Sequence, residues 1–275
     1  MIGTRRISII GGDWQASLLV PPGATRLVIV FGGLGAGTRS YQNLIKPLIA
    51  SMWGEVAVLV MPLDRHDEGG EVTFVGPFRE QLETVEQVIL ALANAMNRNG
   101  LRFAETVVIS HSMGYFPAMM LAGSMDLDVL GTPVTLIALA PPISPTFADE
   151  FIQRWTNDGR AWYLNEFREV QTGFSNTGPT WLHRSDSTET ELTPRYIAEL
   201  KAADPQALLS RVCNYRPVYE HVLVVFGGKD KTCPPPSGNV LHSLVKIAVV
   251  PNADHNFSGC LKGLRDTVKW MLAAR

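Results

Sequence analysis

The sequence predicts an α/β fold: a mostly parallel sheet of eight strands with helices on both faces and a helical lid insertion. Three observations carry that reading. Short apolar runs ending in glycine or small residues, such as Arg26 to Phe31, Thr106 to Ile109 and His221 to Phe226, have the pattern of strands buried on both faces. Segments of helical periodicity alternate with these runs, as a parallel sheet with crossover helices requires. Finally, residues 145–219 between the sixth and seventh runs are too many for a bare connection.

In chain order, strands are predicted near residues 6–10, 14–20, 26–31, 56–61, 106–111, 134–140, 221–226 and 244–250. Pro21-Pro22-Gly23 and Asn99-Gly100 are turns. Tyr41 to Met52 and Phe78 to Asn97 read as helices. In the second, Phe78, Leu82, Val85, Val88, Ile89, Leu92 and Met96 recur at helical spacing and form a stripe that covers the sheet. Cys260 to Ala274 is predicted to be a packing helix. The body comprises 1–144 and 220–275, and 145–219 is the lid. That insertion holds nearly half of the chain's aromatic residues, and Trp155, Trp162, Phe167 and Trp181 are candidate walls of an apolar substrate pocket.

Composition bounds the function. With 275 residues, 46% of them hydrophobic, the chain can bury one substantial core. A formal charge of -2, from 24 basic against 26 acidic residues, excludes the basic excess of a nucleic-acid binder. No signal peptide or membrane span is predicted, because the basic start reaches Gly11-Gly12-Asp13 before any long apolar run. Cys213, Cys233 and Cys260 lack C-x-x-C spacing, which argues against a disulfide framework or structural zinc and for a cytoplasmic setting. Nothing in the sequence sets an oligomeric state.

The chemistry-bearing residues lie at the ends of predicted strands. Ser110-His111-Ser112-Met113-Gly114 joins a strand to the helix-prone run Ala118 to Ala122, the layout of a nucleophile elbow with Ser110 in place of the usual glycine. Ser112 is the candidate nucleophile; a helix N-cap is its bland alternative. Gly32-Gly33-Leu34-Gly35 could aim a backbone N–H at an oxyanion, cradle a phosphate, or simply turn the chain. No Gly-Lys-Ser/Thr follows, and Thr38 interrupts the dinucleotide pattern that Gly33-x-Gly35 begins, although Asp64 follows the next strand.

Gly227-Gly228-Lys229-Asp230 puts a carboxylate after the seventh strand, and Asp254-His255 puts an imidazole after the eighth. Asp149 and Glu150 are further carboxylates after the sixth strand. In Asp64-Arg65-His66-Asp67-Glu68, adjacent residues rarely converge on one ion, so a solvated loop near the pocket mouth is expected there and no metal.

Together these motifs resemble those of the α/β-hydrolases, over most of the chain from about residue 6 onward. The resemblance implies Ser112 as nucleophile, His255 as general base and acid, and Asp230 as the carboxylate that orients it, with Asp149 or Glu150 as the alternative acid. It implies the backbone N–H groups of Met113 and Leu34 as oxyanion donors. It implies a small-molecule substrate and no cofactor. The expected reaction is cleavage of a carboxylic ester or thioester through an acyl-enzyme, with a hydrophobic acyl or aryl group under the lid. The same triad could act on an amide or a carbon–carbon bond, or in acyl transfer or a lyase reaction. The fold could also serve as a non-catalytic ligand binder.

Overall fold

The computed structural model describes residues 3–11, 14–34, 37–66, 72–124, 126–156, 170–171, 180–183, 189–214, 219–236 and 245–273. Strands β1 (Arg5–Gly11), β2 (Trp14–Val20), β3 (Arg26–Phe31) and β4 (Ala57–Val60) open the chain. A hairpin, β5 (Asp64–His66) and β6 (Val72–Val75), precedes β7 (Glu105–His111) and β8 (Val134–Leu139). Then come β9 (Val170–Gln171), β10 (Thr180–His183), β11 (Glu189–Leu192), β12 (Tyr219–Gly227) and β13 (Lys246–Val250).

Eight of these form the main sheet, in the order β1-β2-β4-β3-β7-β8-β12-β13. β2 runs antiparallel to β1 and β4, and the other pairings are parallel. The eight predicted strands are these eight.

Alternation along the central strands divides the core in two. Leu27, Ile29 and Phe31 face one layer, and Val28 and Val30 face the other. The first layer is closed by α3 (Phe78–Arg98) and α4 (Tyr115–Ser124), through Val85, Val88, Ile89, Leu92, Ala118 and Leu121. Leu82 of the predicted stripe is half-buried at its margin. The second layer is closed by α2 (Lys46–Trp53) and the C-terminal helix α8 (Leu261–Ala273).

The helix predicted from Tyr41 is a composite. α1 (Gly37–Ser40) runs into a π-helical stretch, Tyr41–Ile45, before α2. Gly54, at φ +72°, ends it in a conformation that a side chain would strain.

Between β8 and β12 the described residues hold helices α5 (Phe147–Thr156), α6 (Pro194–Ala202) and α7 (Pro205–Asn214). They also hold strands, which a purely helical insertion does not. β11 pairs in parallel with β6, giving a second sheet in the order β5-β6-β11-β10-β9. The expected loop at Asp64 is therefore strand where it is described. Asp64, Arg65 and His66 pair with Val75, Phe74 and Thr73, because a backbone ladder forms whatever the polarity of the side chains. Asp67 and Glu68 lie outside the described residues.

α6 and α7 pack on α3 and α4. Phe78 stacks on Phe116 at 4.7 Å between centroids and meets Tyr196 edge-on at 5.1 Å, and the Tyr115 hydroxyl donates to the Pro205 carbonyl at 2.6 Å. Among the described residues no helix is long and apolar enough to cross a membrane.

Candidate active site

Ser112 follows the last residue of β7, and its backbone has φ +53°, a left-handed value for a residue with a side chain. The chain passes from β7 through a single turn of 3-10 helix, Ser112–Gly114, into α4. Gly114 makes that sharp turn possible. A Cβ there would lie 2.3 Å from the Gly32 carbonyl oxygen and 2.6 Å from that of Phe31. Ser110 remains inside β7, opposite Phe31 and Ala138, so its hydroxyl lies behind the turn.

His255 stands on the loop after β13, with positive φ at Asn252 and Phe257 on either side. Glycine again allows a close approach: a Cβ on Gly227 would meet the Asp254 and Ala253 carbonyl oxygens at 2.5 and 2.6 Å. Two backbone bonds join the loops, from Gly228 N–H to the Val250 carbonyl at 2.9 Å and from Lys229 N–H to the Ala253 carbonyl at 2.8 Å.

These loops bring Ser112, His255 and Asp230 together. His255 Nδ1 is 2.9 Å from Asp230 Oδ2, and its Nε2 is 2.9 Å from Ser112 Oγ. A carboxylate only accepts, so Nδ1 carries the proton and Nε2 accepts from the serine hydroxyl. The other Asp230 oxygen accepts from the backbone N–H groups of Thr232 and Cys233 at 2.8 and 2.9 Å. All three side chains are buried. Asp149 and Glu150 lie instead in the first turn of α5.

Leu34 and Met113 line one small cavity together with Gly32, Gly33, Gly114 and Tyr196. The Gly33 N–H donates to Ser40 Oγ at 3.2 Å. Of the four aromatics singled out in the sequence, Trp155 falls in α5 and Trp181 in β10, and Trp162 and Phe167 lie outside the described residues. Among the described residues no group of three or more His, Cys, Asp or Glu side chains could hold a metal ion.

Sequence reasoning gave no role to His111, which the structure puts at the centre of the site. Its Nε2 is 3.1 Å from the His255 carbonyl and its Nδ1 is 3.2 Å from Ser40 Oγ. The carbonyl can only accept, so Nε2 carries the proton and Nδ1 accepts from the Ser40 hydroxyl. The two imidazoles, with centroids 5.1 Å apart, thus hold opposite tautomers. Burial lowers the His111 pKa from its ordinary 6.5 to about 4, and repulsion from His255 adds to the shift. The His255 carbonyl, Asp230 and Asp254 act in the opposite direction. The only hint in the sequence was an imidazole beside Ser112, at the end of an apolar strand.

The sequence matches the alpha/beta hydrolase family over residues 21–261, and the chain belongs to that family. No curated protein matches it. Among solved structures, it is similar to the esterase domain of a Rhodothermus marinus protein, at 11% identity and TM-score 0.56, with 98% of each chain covered. Carboxyl esterase 2 of Tuber melanosporum aligns at 16% identity and TM-score 0.55, over 97% of this chain and 83% of that one. An alpha-beta serine hydrolase homologue from Coxiella burnetii aligns at 14% and 0.53, over 99% of both.

Two outcomes follow from this geometry. Gly114→Ala should cost about 3 kcal/mol in denaturant unfolding and abolish activity, since its methyl would drive into two backbone carbonyls. Gly33→Ala, whose Cβ would meet Ser112 Cβ at an ordinary 3.4 Å, should fold normally. Equal stability of Gly114→Ala and wild type would refute the close approach.

The second concerns pH. Unfolded His111 takes its proton near pH 6.5 and the folded residue only near pH 4, so protons favour the unfolded chain. The stability at stake is fully present above pH 6.5 and falls by about 3 kcal/mol as pH drops to about 4. Urea titrations of wild type and His111→Gln should show a shallower fall in the variant; parallel curves would count against the buried neutral imidazole.

Proposed function

We propose that the protein is a serine hydrolase that cleaves a carboxylic ester or thioester through an acyl-enzyme. The observation that carries this reading is the pair of 2.9 Å contacts linking Ser112 Oγ, His255 and Asp230 Oδ2. In the first half-reaction His255 Nε2 takes the Ser112 proton as Oγ attacks the carbonyl carbon, and Asp230 stabilises the resulting imidazolium. The N–H groups of Met113 and Leu34 receive the oxyanion. His255 then protonates the leaving group, and the same base activates water to release the acid. Two of the structural relatives described above are esterases, which supports an ester as the first substrate class to test.

Residues 145–219 act as a lid in this reading, and Trp155, Trp162, Phe167 and Trp181 favour a hydrophobic acyl or aryl group. The body, 1–144 and 220–275, carries the machinery beneath it.

A fluorophosphonate should label Ser112, and Ser112→Ala should abolish labelling and cut kcat on the order of 10⁶-fold. Asp230→Asn should fold and lose on the order of 10⁴-fold in rate, while Asp149→Asn stays near wild type. Label on Ser110, or the reverse ranking of the two aspartates, would overturn these assignments. On p-nitrophenyl esters of rising chain length, alanine at Trp155 and Trp181 should weaken long-chain turnover relative to acetyl by about 1 to 3 kcal/mol. Equal losses on short and long chains would remove the acyl-group preference and leave the serine-hydrolase reading intact.

A further inference from the structure

His111 is a buried titratable side chain that the triad chemistry does not use. We propose that it is a positioning residue for the reaction, tying the glycine loop after β3 to the backbone of His255 and so holding that imidazole in register with Ser112. The proposal rests on the triad reading above.

The connection runs through three hydrogen bonds. Gly33 N–H donates to Ser40 Oγ, the Ser40 hydroxyl donates to His111 Nδ1, and His111 Nε2–H donates to the His255 carbonyl. Both ends belong to the site. Gly33 precedes Leu34, and a Cβ built on it lies 3.4 Å from that of Ser112, while the far carbonyl is part of the base residue itself. The loops after β3 and β13 are thereby held in one frame with the last residue of β7.

An apolar side chain of similar volume would leave the His255 carbonyl without this donor and the Ser40 hydroxyl without this acceptor, both in the protein interior. The task needs one donor and one acceptor about 2 Å apart on a rigid plane, which a neutral imidazole or a primary amide can supply. It also needs a neutral ring, because a second cation 5.1 Å away would oppose the imidazolium that forms on His255 during acyl transfer. Burial keeps His111 neutral down to about pH 4.

The test compares wild type, His111→Leu, His111→Gln and Ser40→Ala. Three quantities are read: the second-order rate of fluorophosphonate labelling, kcat and KM on an ester that the wild type turns over, and the low-field proton signal of the His255–Asp230 hydrogen bond. His111→Leu should lower the labelling rate and kcat 10- to 100-fold, since displacing a reacting group by about 1 Å costs that much. KM should change less than about threefold, because substrate contacts are untouched. The low-field signal should shift or broaden.

His111→Gln should recover most of the rate and the signal, and Ser40→Ala should fall between Leu and wild type. If His111→Leu does not fold, the Gln and Ala variants carry the comparison. Wild-type labelling rate, kcat and low-field signal in folded Leu or Ser40→Ala protein would overturn the proposal, as would a Gln variant no faster than Leu. Those results would leave the triad standing, because Ser112 would still be labelled. A wild-type protein that the probe does not label at Ser112 would instead remove the triad reading and this inference with it.

Discussion

Gly114 lies so near the carbonyls of Phe31 and Gly32 that a Cβ would come within 2.6 Å of both, and this contact sets how closely the elbow can approach β3. Because β3 and β7 are adjacent parallel strands, their carboxyl ends already lie side by side. The absent side chain lets the chain turn at once, so that Ser112 takes φ +53° and the helix behind it still packs on the sheet. The same device recurs where β12 meets β13. A Cβ on Gly227 would come within 2.6 Å of the Asp254 and Ala253 carbonyl oxygens, and its absence lets the β12 end bring Asp230 to His255. Close backbone contacts at two strand ends thus determine the distances on which the chemistry depends.

Those distances would be of little use with the wrong tautomers. Each histidine has one ring nitrogen facing a group that can only accept, Asp230 for His255 and a backbone carbonyl for His111. The proton of each neutral ring is therefore assigned by its surroundings, and the opposite nitrogen is left as an acceptor for a serine hydroxyl. Ser112 and Ser40 fill those two positions. The symmetry ends at charge, since both rings are buried. His255 has a carboxylate to stabilise a positive ring, whereas His111 bonds to a carbonyl and a hydroxyl, and desolvation with repulsion from His255 keeps it neutral.

Much of this was legible in the sequence because the main sheet depends on local signals. Val28 and Val30 against Leu27 and Ile29 mark a strand buried on both faces before any partner is known, and glycine or serine at the ends of β3, β7 and β12 marks their turns. The order Ser112, Asp230, His255 follows from the same strand ends. The second sheet was not legible. β9 to β11 are short, and β11 derives its register from β6, more than a hundred residues earlier in the chain. His111 was unreadable for a related reason: its two partners lie 71 and 144 positions away, so its neighbours in sequence say nothing of its bonds.

The helices between β8 and β12 are joined to the Ser112 turn through α3 and α4. Tyr115, the residue that begins α4 directly after the elbow, donates to Pro205 at the start of α7, and Phe116 beside it stacks on Phe78, which meets Tyr196 of α6. Tyr196 also lines the small cavity that holds Leu34 and Met113. A shift of α6 or α7 therefore acts on the first turn of the helix behind Ser112 through packed rings and a buried hydrogen bond, which resist small displacements. Thr193 and Asp204 cap these two helices through bonds to Tyr196 N–H and to the N–H groups of Gln206 and Ala207, fixing where each begins. Substitutions in α6 or α7 can then alter the Ser112 turn, and α4 is in turn part of what seats these helices.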